Sequence, residues 1–168
     1  MKNTRDLTTA AIVAALYAVL TLLQNFLLPG STSMAIQFRL SEALCVLALL
    51  TPSAIYGLSL GCLLSNLLSS AALPLDFLLG TLATALATGA MYALRNVRLF
   101  RVPVPALLMP ALFNALLVGA ELTYYIGELP FALNALYVAV GEVVVLFVAG
   151  LPLWALLKNG RLSKLLRR

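Results

Sequence analysis

Apolar residues in this chain are collected into long runs, which short polar or proline-containing segments separate. The first run, residues 7–28, stops at Pro29-Gly30 and has about the 20 residues that a membrane-spanning helix needs. Further apolar stretches cover residues 39–70, 75–94, 106–126 and 131–157. Long runs with few charges predict an all-α integral membrane protein, here as a single domain over residues 1–168.

The stretch 39–70 allows two interpretations, because Thr51-Pro52-Ser53 interrupts it. It is either one long kinked helix or two helices that meet at Pro52. With two helices the chain crosses six times and ten of its eleven Lys and Arg residues fall on one side, whereas one helix gives five crossings and a nine-to-two division. Residues 39–51 would form a helix of about 20 Å, against a hydrocarbon core of roughly 30 Å. We predict a six-transmembrane-helix bundle, in which the second helix is short and ends at Pro52.

Composition also indicates lipid as the main solvent of this chain. Hydrophobic residues make up 62% and charged residues 10%, whereas soluble domains have about 45–50% and about 25%. The net charge of +5 is compatible with nucleic-acid binding, but the basic residues lie at the ends of the predicted helices, where positive loops set membrane orientation. We therefore expect no nucleic-acid partner and both termini on the cytoplasmic side of the membrane. The basic clusters are Lys2 and Arg5; Arg95, Arg98 and Arg101; and Lys158, Arg161, Lys164, Arg167 and Arg168.

Two glutamates lie inside predicted membrane helices. Glu121 is near the outer end of the fifth helix, and Glu142 is near the middle of the sixth. A charged group at mid-membrane costs roughly 2.5–3.5 kcal/mol, so it usually faces a bundle interior or a cavity. Both residues are candidates for a binding pocket. The alternative is a structural carboxyl group bonded to an Asn, Thr or Tyr of a neighbouring helix.

Two asparagines extend this candidate pocket. Asn114 lies two helical turns before Glu121, and Asn134 lies about two turns before Glu142, so each amide shares a helix face with a glutamate. The short turn at residues 127–130 makes the fifth and sixth helices neighbours. The four side chains are therefore expected to converge on an outward-opening cavity.

Aromatic side chains near this cavity offer flat surfaces. Tyr124 ends the fifth helix, and Tyr137 lies between Asn134 and Glu142. Interfacial tyrosines normally belong to an aromatic belt, which is the alternative for Tyr124 or its neighbour Tyr125. A mostly apolar cavity with a few polar groups suits a small, flat, nitrogen-rich solute. Carboxylates accept hydrogen bonds from the adjacent N–H groups of a guanine-like edge.

Glu42 and Asp76 lie near the outer ends of the second and fourth predicted helices. Arg39 precedes Glu42 by three residues, which predicts an ion pair on one helix face. Asp76 follows Pro74 near a helix N-terminus, where capping is the alternative to ligand binding. Arg39, Glu42 and Asp76 complete the set of candidate binding residues.

Small residues mark one face of the first helix. Ala10, Ala14 and Ala18 recur every four residues, a spacing that lets another helix approach closely. That helix belongs either to a partner protein or to this protein's own bundle.

The sequence lacks the residues of several kinds of enzyme. It contains no histidine, which excludes His-based metal sites and Ser-His-Asp triads. Carboxylates alone can support acid–base chemistry, so an intramembrane enzyme is one rival. A stand-alone proton-coupled carrier is the other, since intramembrane glutamates suit proton relays. We predict a chain that is not an enzyme and that holds no metal.

Several segments of the chain carry a more specific pattern. They are residues 37–44 (QFRLSEAL), residues 76–84 (DFLLGTLAT), Asn114 with residues 119–122 (GAEL), and Gly141-Glu142. With this pattern the chain resembles, over essentially its whole length, the QueT family of substrate-binding S components of energy-coupling factor (ECF) transporters. The resemblance implies a six-helix S component that captures a solute outside the cell. It also implies a partner module of one transmembrane coupling protein and two ATPases.

The resemblance further implies a substrate and its place. The substrate would be a queuosine precursor or its salvageable base, a 7-deazaguanine such as the aminomethyl or cyano form, or queuine; another vitamin or nucleobase is the alternative. It would bind in the outer half, beneath a lid at residues 29–37. From their positions, we expect Glu121, Glu142 and Asn114 to bind the deazaguanine edge and Tyr124 or Tyr137 to stack on the ring.

The resemblance also implies how the chain meets its partners. The coupling protein would dock on the small residues of the first helix, here Ala10, Ala14 and Ala18. The sequence has no Walker A motif, so we expect no cofactor in this chain and ATP use by the partner ATPases.

Overall fold

The computed structural model describes residues 4–31, 37–70 and 72–159, and most of them are helical. Within these ranges, three continuous helices are long and apolar enough to cross a membrane. They run over Thr4–Leu27, Val104–Tyr125 and Phe131–Lys158. The protein is therefore a multi-pass, all-α membrane protein, as the apolar runs predict. In chain order the elements are α1 (Thr4–Leu27), a 3₁₀ helix (Leu40–Leu49), α2 (Ser53–Leu68), α3 (Asp76–Ala93), the short α4 (Val104–Leu107), α5 (Met109–Tyr125), α6 (Phe131–Val145), a π-helical turn (Leu146–Gly150) and α7 (Leu151–Asn159).

The predicted break at Pro52 is confirmed. The 3₁₀ helix ends at Leu49 and α2 begins at Ser53, so the stretch 39–70 is two helices and not one. The first of them is short. It is wound as a 3₁₀ helix, more tightly than the expected α-helix, and 3₁₀ runs longer than three or four residues are uncommon.

The 3₁₀ helix forms the centre of the bundle. It packs against α1, α2, α3, α6, the π-helical turn and α7. Ser41, Cys45, Val46 and Ala48 have no exposed surface. Because other helices surround it, this helix does not need to match the thickness of the bilayer, which explains how so short an element fits.

Helices α1 and α2 approach each other closely through small residues. Ala10 and Ala14 on α1 face Gly57 and Gly61 on α2. A Cβ atom at position 61 would lie 2.8 Å from the Ala14 carbonyl oxygen and 2.7 Å from Cβ of Tyr17. Small residues at this spacing permit such an approach.

The alanine stripe is therefore part of the bundle. Ala10, Ala14 and Ala18 are 6%, 3% and 8% exposed. In this arrangement the packing partner of the stripe is α2, so docking of these three residues to a partner protein stays a prediction. Ala11 and Ala15, on the other face of α1, are exposed.

The last membrane pass contains one wide turn. The N–H group of Leu151 donates to the carbonyl oxygen of Leu146, five residues earlier. Pro152 follows and has no N–H group with which to continue the normal pattern. The π-helical turn lies between Glu142 and Trp154, both of which are buried.

Three basic residues of the described part of the chain, Arg95, Arg98 and Lys158, lie at one end of the bundle. A recess of about 540 Å³ brings together the start of α1, the turn before α2, the end of α3 and the last helix. Lys158 lies beside it, 4.8 Å from the ring of Trp154. Lys2 and the basic residues of segment 161–168 lie outside the described residues. The recess is lined by residues that include Asp6, Thr51, Tyr92, Arg95, Arg98 and Trp154.

Candidate functional site

A cluster of buried charged side chains occupies the interior of the bundle. It consists of Arg39, Glu42, Asp76, Glu121 and Glu142, hereafter the acidic cluster, and their exposed fractions lie between 1% and 9%. Arg39 precedes the 3₁₀ helix, Glu42 belongs to it, and the other three come from α3, α5 and α6. The Arg39 guanidinium interacts electrostatically with each of the four acids. Four membrane elements therefore place four carboxyl groups around one cation.

The ion pair in this cluster joins Arg39 to Asp76. Their closest nitrogen and oxygen atoms are 3.6 Å apart. The expected pair of Arg39 with Glu42 is not formed, because Arg39 has an extended backbone (φ −93°, ψ 96°) and lies before the helix. The three-residue spacing therefore does not place the two side chains on one helix face.

Asp76 is also held by the backbone. Its Oδ2 accepts a hydrogen bond of 2.7 Å from the N–H group of Leu73. Its own carbonyl oxygen accepts one of 2.8 Å from the side-chain amide of Asn66. Asp76 thus fixes the loop that leads into α3. It is the first residue of this helix, and the N-cap position before it is occupied by Leu75.

Glu42 has a hydrogen-bond donor for each oxygen. The hydroxyl group of Tyr17 donates to Oε1, and the thiol of Cys45 donates to Oε2 at 3.0 Å. Both donors are neutral, and Glu42 forms no ion pair with Arg39 although the guanidinium acts on it electrostatically. This arrangement makes Glu42 a structural link between α1 and the 3₁₀ helix.

Glu142 is satisfied on one side. The side-chain amide of Asn114 donates to Oε1 at 2.9 Å, so the predicted convergence of α5 and α6 is present for this pair. The other oxygen, Oε2, is buried and has no hydrogen-bond partner among the described residues.

Glu121 is the least satisfied member of the cluster. It is 2% exposed, and neither of its carboxyl oxygens has a hydrogen-bond partner of good geometry within the described ranges. The Leu75 backbone and the Asp76 carboxyl group lie near enough to act on it, as does Arg39. Buried unpaired carboxyl oxygens are costly and mark a position where a ligand can supply the missing donors.

Asn134 is engaged elsewhere. Its amide donates to Thr123 Oγ1 at 2.9 Å and to the carbonyl oxygen of Leu129 at 3.2 Å. These bonds stabilise the turn between α5 and α6. Asn134 therefore supports the structure around the site and does not join the acidic cluster.

The tyrosines differ in their access to the interior. Tyr124 is 80% exposed and stacks edge-on against Tyr125, with ring centroids 5.1 Å apart. This position fits an aromatic belt at the membrane surface. Tyr137 is half-buried, so of the two candidates for stacking on a ring it is the better placed.

The segment before the 3₁₀ helix closes onto α6. The backbone of Gln37 lies against Gly141, so closely that a Cβ atom at position 141 would clash with the Gln37 carbonyl group. Gln37 therefore contacts Gly141, the residue that directly precedes Glu142. Residues 32–36 of the predicted lid lie outside the described residues.

Sequence reasoning missed a polar set on α1. Gln24 donates to Ser31 Oγ at 3.0 Å and to the Phe38 carbonyl oxygen, and its own Oε1 accepts from the Leu40 amide at 2.8 Å. Gln24 thereby connects Ser31 with Phe38 and Leu40, which lie on either side of residues 32–36. Gln24 could have been noticed in the sequence as a polar residue within a mostly apolar helix, and the same holds for Tyr17.

A multi-pass helix bundle with ionisable side chains buried at its centre has the architecture of a membrane transport protein, because intramembrane charges of this kind mark solute or ion pathways. The model of the QueT transporter family matches residues 7–159. The chain belongs to this family.

A curated relative agrees with this assignment over part of its length. The "Queuosine precursor transporter QueT" of Lactococcus lactis subsp. cremoris (strain MG1363) is 41% identical over 70 residues, which are 40% of this chain and 38% of the relative. The match therefore spans less than half of either protein. No solved structure matches the chain.

Proposed function

We propose that this chain is the membrane-embedded substrate-binding S component of an ECF-type importer, and that it captures a 7-deazaguanine base that is a queuosine precursor or queuine. The observation that carries the proposal is the acidic cluster, buried within a chain whose family match covers residues 7–159. The name of the relative adds the substrate class.

The chemistry of the cluster suits a base with a guanine-like edge. Such an edge presents adjacent N–H donors, and carboxylates are pure acceptors. Among the described residues, both carboxyl oxygens of Glu121 and one of Glu142 have no hydrogen-bond partner of good geometry, while Asn114 positions Glu142 through a bond of 2.9 Å. These residues supply the acceptors for the ligand, and Tyr137 supplies an aromatic face.

We place the acidic cluster toward the outside and the basic recess toward the cytoplasm. Positive residues are retained on the cytoplasmic side, and Arg95, Arg98 and Lys158 share the recess end. Under this orientation both termini are cytoplasmic. Under the same orientation, we expect residues 29–37 to act as the lid.

The energy for uptake comes from partner proteins in this proposal. The two partner ATPases hydrolyse ATP and act through the coupling protein, since this chain carries no Walker A motif. The exposed face of α1, with Ala11 and Ala15, is the small-residue surface that stays available to a partner helix.

Two measurements test the proposal. Purified protein in detergent should bind a labelled 7-deazaguanine, and adenine, riboflavin and thiamine should not compete. Uptake by cells should require both ATPases and should persist when the proton gradient is dissipated. Binding of riboflavin or thiamine alone would assign a different substrate, and uptake that follows the proton gradient without the ATPases would assign a stand-alone carrier.

A further inference from the structure

A second cavity, hereafter the apolar groove, lies close to the basic recess. It has a volume of about 330 Å³, against about 540 Å³ for the recess. Seven of the eight described residues that line it are apolar, the exception being Thr9. The lining includes Ile12, Leu16, Leu44, Leu47, Leu153 and Leu157.

The same three elements build both cavities. On α1, Asp6 lines the recess, and Thr9, about one turn later, lines the groove. On the 3₁₀ helix, Leu47 lines the groove and Leu49 lines the recess. Helix α7 contributes side chains to both. Along α1 and the 3₁₀ helix, the recess is therefore nearer to the end of the bundle, and the groove lies deeper in the membrane.

The recess lies at the level of the membrane surface. Helix α1 begins at Thr4, and the last membrane pass ends at Lys158, so the recess is placed where two membrane helices end. Trp154 and Tyr92 line it, and these residue types are enriched at the boundary between lipid and water. A ligand of this recess can therefore have one part in water and another part in lipid.

The recess carries a net positive charge. Among the described residues that line it, Arg95 and Arg98 stand against a single acid, Asp6. Lys158 adds a third cation, with its ammonium nitrogen 4.8 Å from the ring of Trp154. This balance favours an anionic group.

Arg95 is held in position at the wall of the recess. Its Nη1 donates a hydrogen bond of 2.6 Å to the carbonyl oxygen of Tyr92. Its guanidinium carbon lies 3.9 Å from the centre of the Tyr92 ring. A guanidinium group has five N–H donors in a planar fork, which matches the oxygens of a phosphate group. The recess thus offers a positioned donor for phosphate.

A phospholipid is the one ligand that uses both cavities. Basic pockets between transmembrane helices bind the head groups of anionic lipids, and an acyl chain fills an apolar groove that faces lipid. A soluble phosphate compound would use the recess alone.

We infer that the basic recess and the apolar groove together bind an anionic glycerophospholipid, with its phosphate group at Arg95, Arg98 and Lys158 and one acyl chain in the groove between α1 and α7. The site lies apart from the acidic cluster and does not depend on which solute the chain transports.

The first test compares lipids that differ only in their head groups. Native mass spectrometry measures binding to the purified, delipidated full chain. Dioleoylphosphatidylglycerol should bind about fivefold tighter than dioleoylphosphatidylcholine, or more, because one basic residue near an anionic lipid contributes about this factor. Glycerophosphoglycerol, which has the same head group without acyl chains, should bind much more weakly. Equal affinities for the two lipids would overturn the inference, and glycerophosphoglycerol binding as tightly as the lipid would assign the recess to a soluble phosphate compound.

Charge variants locate the head group. Arg95→Gln should reduce the preference for phosphatidylglycerol by about fivefold. Because Arg95 also bonds the end of α3, Lys158→Gln tests the charge at a second position. Arg101→Gln is the control, since Arg101 is an exposed residue of the loop after α3 that does not line the recess. A preference that is unchanged in both Arg95→Gln and Lys158→Gln would overturn the assignment.

A filled groove locates the acyl chain. Ile12→Trp should weaken binding of both lipids several-fold, because the larger side chain occupies the groove. Leu23→Trp is the matched control, since Leu23 is also on α1 and is 50% exposed, against 55% for Ile12, but does not line the groove. Size-exclusion profiles confirm that each variant is folded. Unchanged lipid binding in Ile12→Trp would overturn the inference and leave the groove to a helix of a partner protein.

Discussion

The hydroxyl group of Tyr17 donates a hydrogen bond to the carboxylate of Glu42, and this bond ties α1 to the buried 3₁₀ helix. Tyr17 is 1% exposed and Glu42 is also 1% exposed. A second bond of 2.8 Å, from Thr21 to Ser41, joins the same two elements one turn further along. The first membrane helix is therefore connected directly to the centre of the acidic cluster.

Tyr17→Phe should destabilise the protein. The substitution leaves Glu42 Oε1 buried without a donor, and an unsatisfied buried group costs about 1–3 kcal/mol, more when it is charged. Thermal unfolding in detergent measures the loss. Tyr56→Phe is the matched control, because Tyr56 is 57% exposed and should tolerate the change. Equal melting temperatures for Tyr17→Phe and the native chain would contradict the structural importance of this bond.

Arg39→Gln should be among the most damaging single substitutions. It removes the cation that pairs with Asp76, and breaking a buried ion pair costs about 3–5 kcal/mol because one charge stays uncompensated. The double variant Arg39→Gln/Asp76→Asn should regain part of the stability, since the residues in contact are coupled. Fluorescence-detected size exclusion after heating reports this. Arg98→Gln, at an exposed position, is the control, and a double variant no better than the single one would contradict the pairing.

Gly141→Ala should displace the backbone of Gln37. The added methyl group would collide with it, so Gln37 has to move away from Glu142, and ligand affinity should fall. Gly89→Ala is the matched control, since no atom lies within 4 Å of a Cβ atom at that helical position and alanine there should stabilise by roughly 0.5–1 kcal/mol. Affinity and melting temperature are measured for both variants. Unchanged ligand affinity in Gly141→Ala would mean that the contact is not needed for binding.

Ala14→Leu should destabilise the bundle, whereas Ala15→Leu should not. Ala14 is 3% exposed and its Cα atom would be 3.1 Å from a Cβ atom at position 61, so there is no space for a larger side chain. Overpacking of this kind costs typically about 1–3 kcal/mol. Ala15 is exposed on the opposite face. Melting temperatures in detergent compare the pair, and the reverse order would mean that α1 packs on its other face.

Glu142→Gln should weaken binding of a 7-deazaguanine by about 1.5–3 kcal/mol, the range for hydrogen bonds that involve a charged group. Glu121→Gln should have the same effect. Equilibrium binding to purified protein measures both. Glu128→Gln is the control, because Glu128 is exposed in the turn between α5 and α6. If neither variant binds more weakly while both melt earlier, the two glutamates are structural.

The helix divisions were predictable because their signals are local. A helix ends at Pro52 and another at Pro29-Gly30, because these residues remove backbone N–H donors and adopt conformations that helices exclude. The burial of Glu121 and Glu142 was also predictable, because the cost of a charge in lipid applies wherever the helix packs.

Contacts between helices were harder to predict, because they depend on two surfaces at once. The alanine spacing on α1 was visible, but it occurs on two faces, and Gly57 and Gly61 of α2 decide which face is buried. The expected Arg39–Glu42 pair assumed a helix that already includes Arg39. The backbone there is extended, and the guanidinium reaches Asp76, which is 37 residues further along the chain.

The π-helical turn also sets the rotational phase of the last membrane pass. In an uninterrupted α-helix, Trp154 would point about 120° away from Glu142, which precedes it by twelve positions. The wide turn absorbs one residue, and the offset falls to about 20°. The side chains of Glu142 and Trp154 consequently lie on nearly the same face of the pass and point into the bundle, with exposed fractions of 5% and 7%. One extra residue thus allows the same side of a single helical pass to face both the acidic cluster and the basic recess.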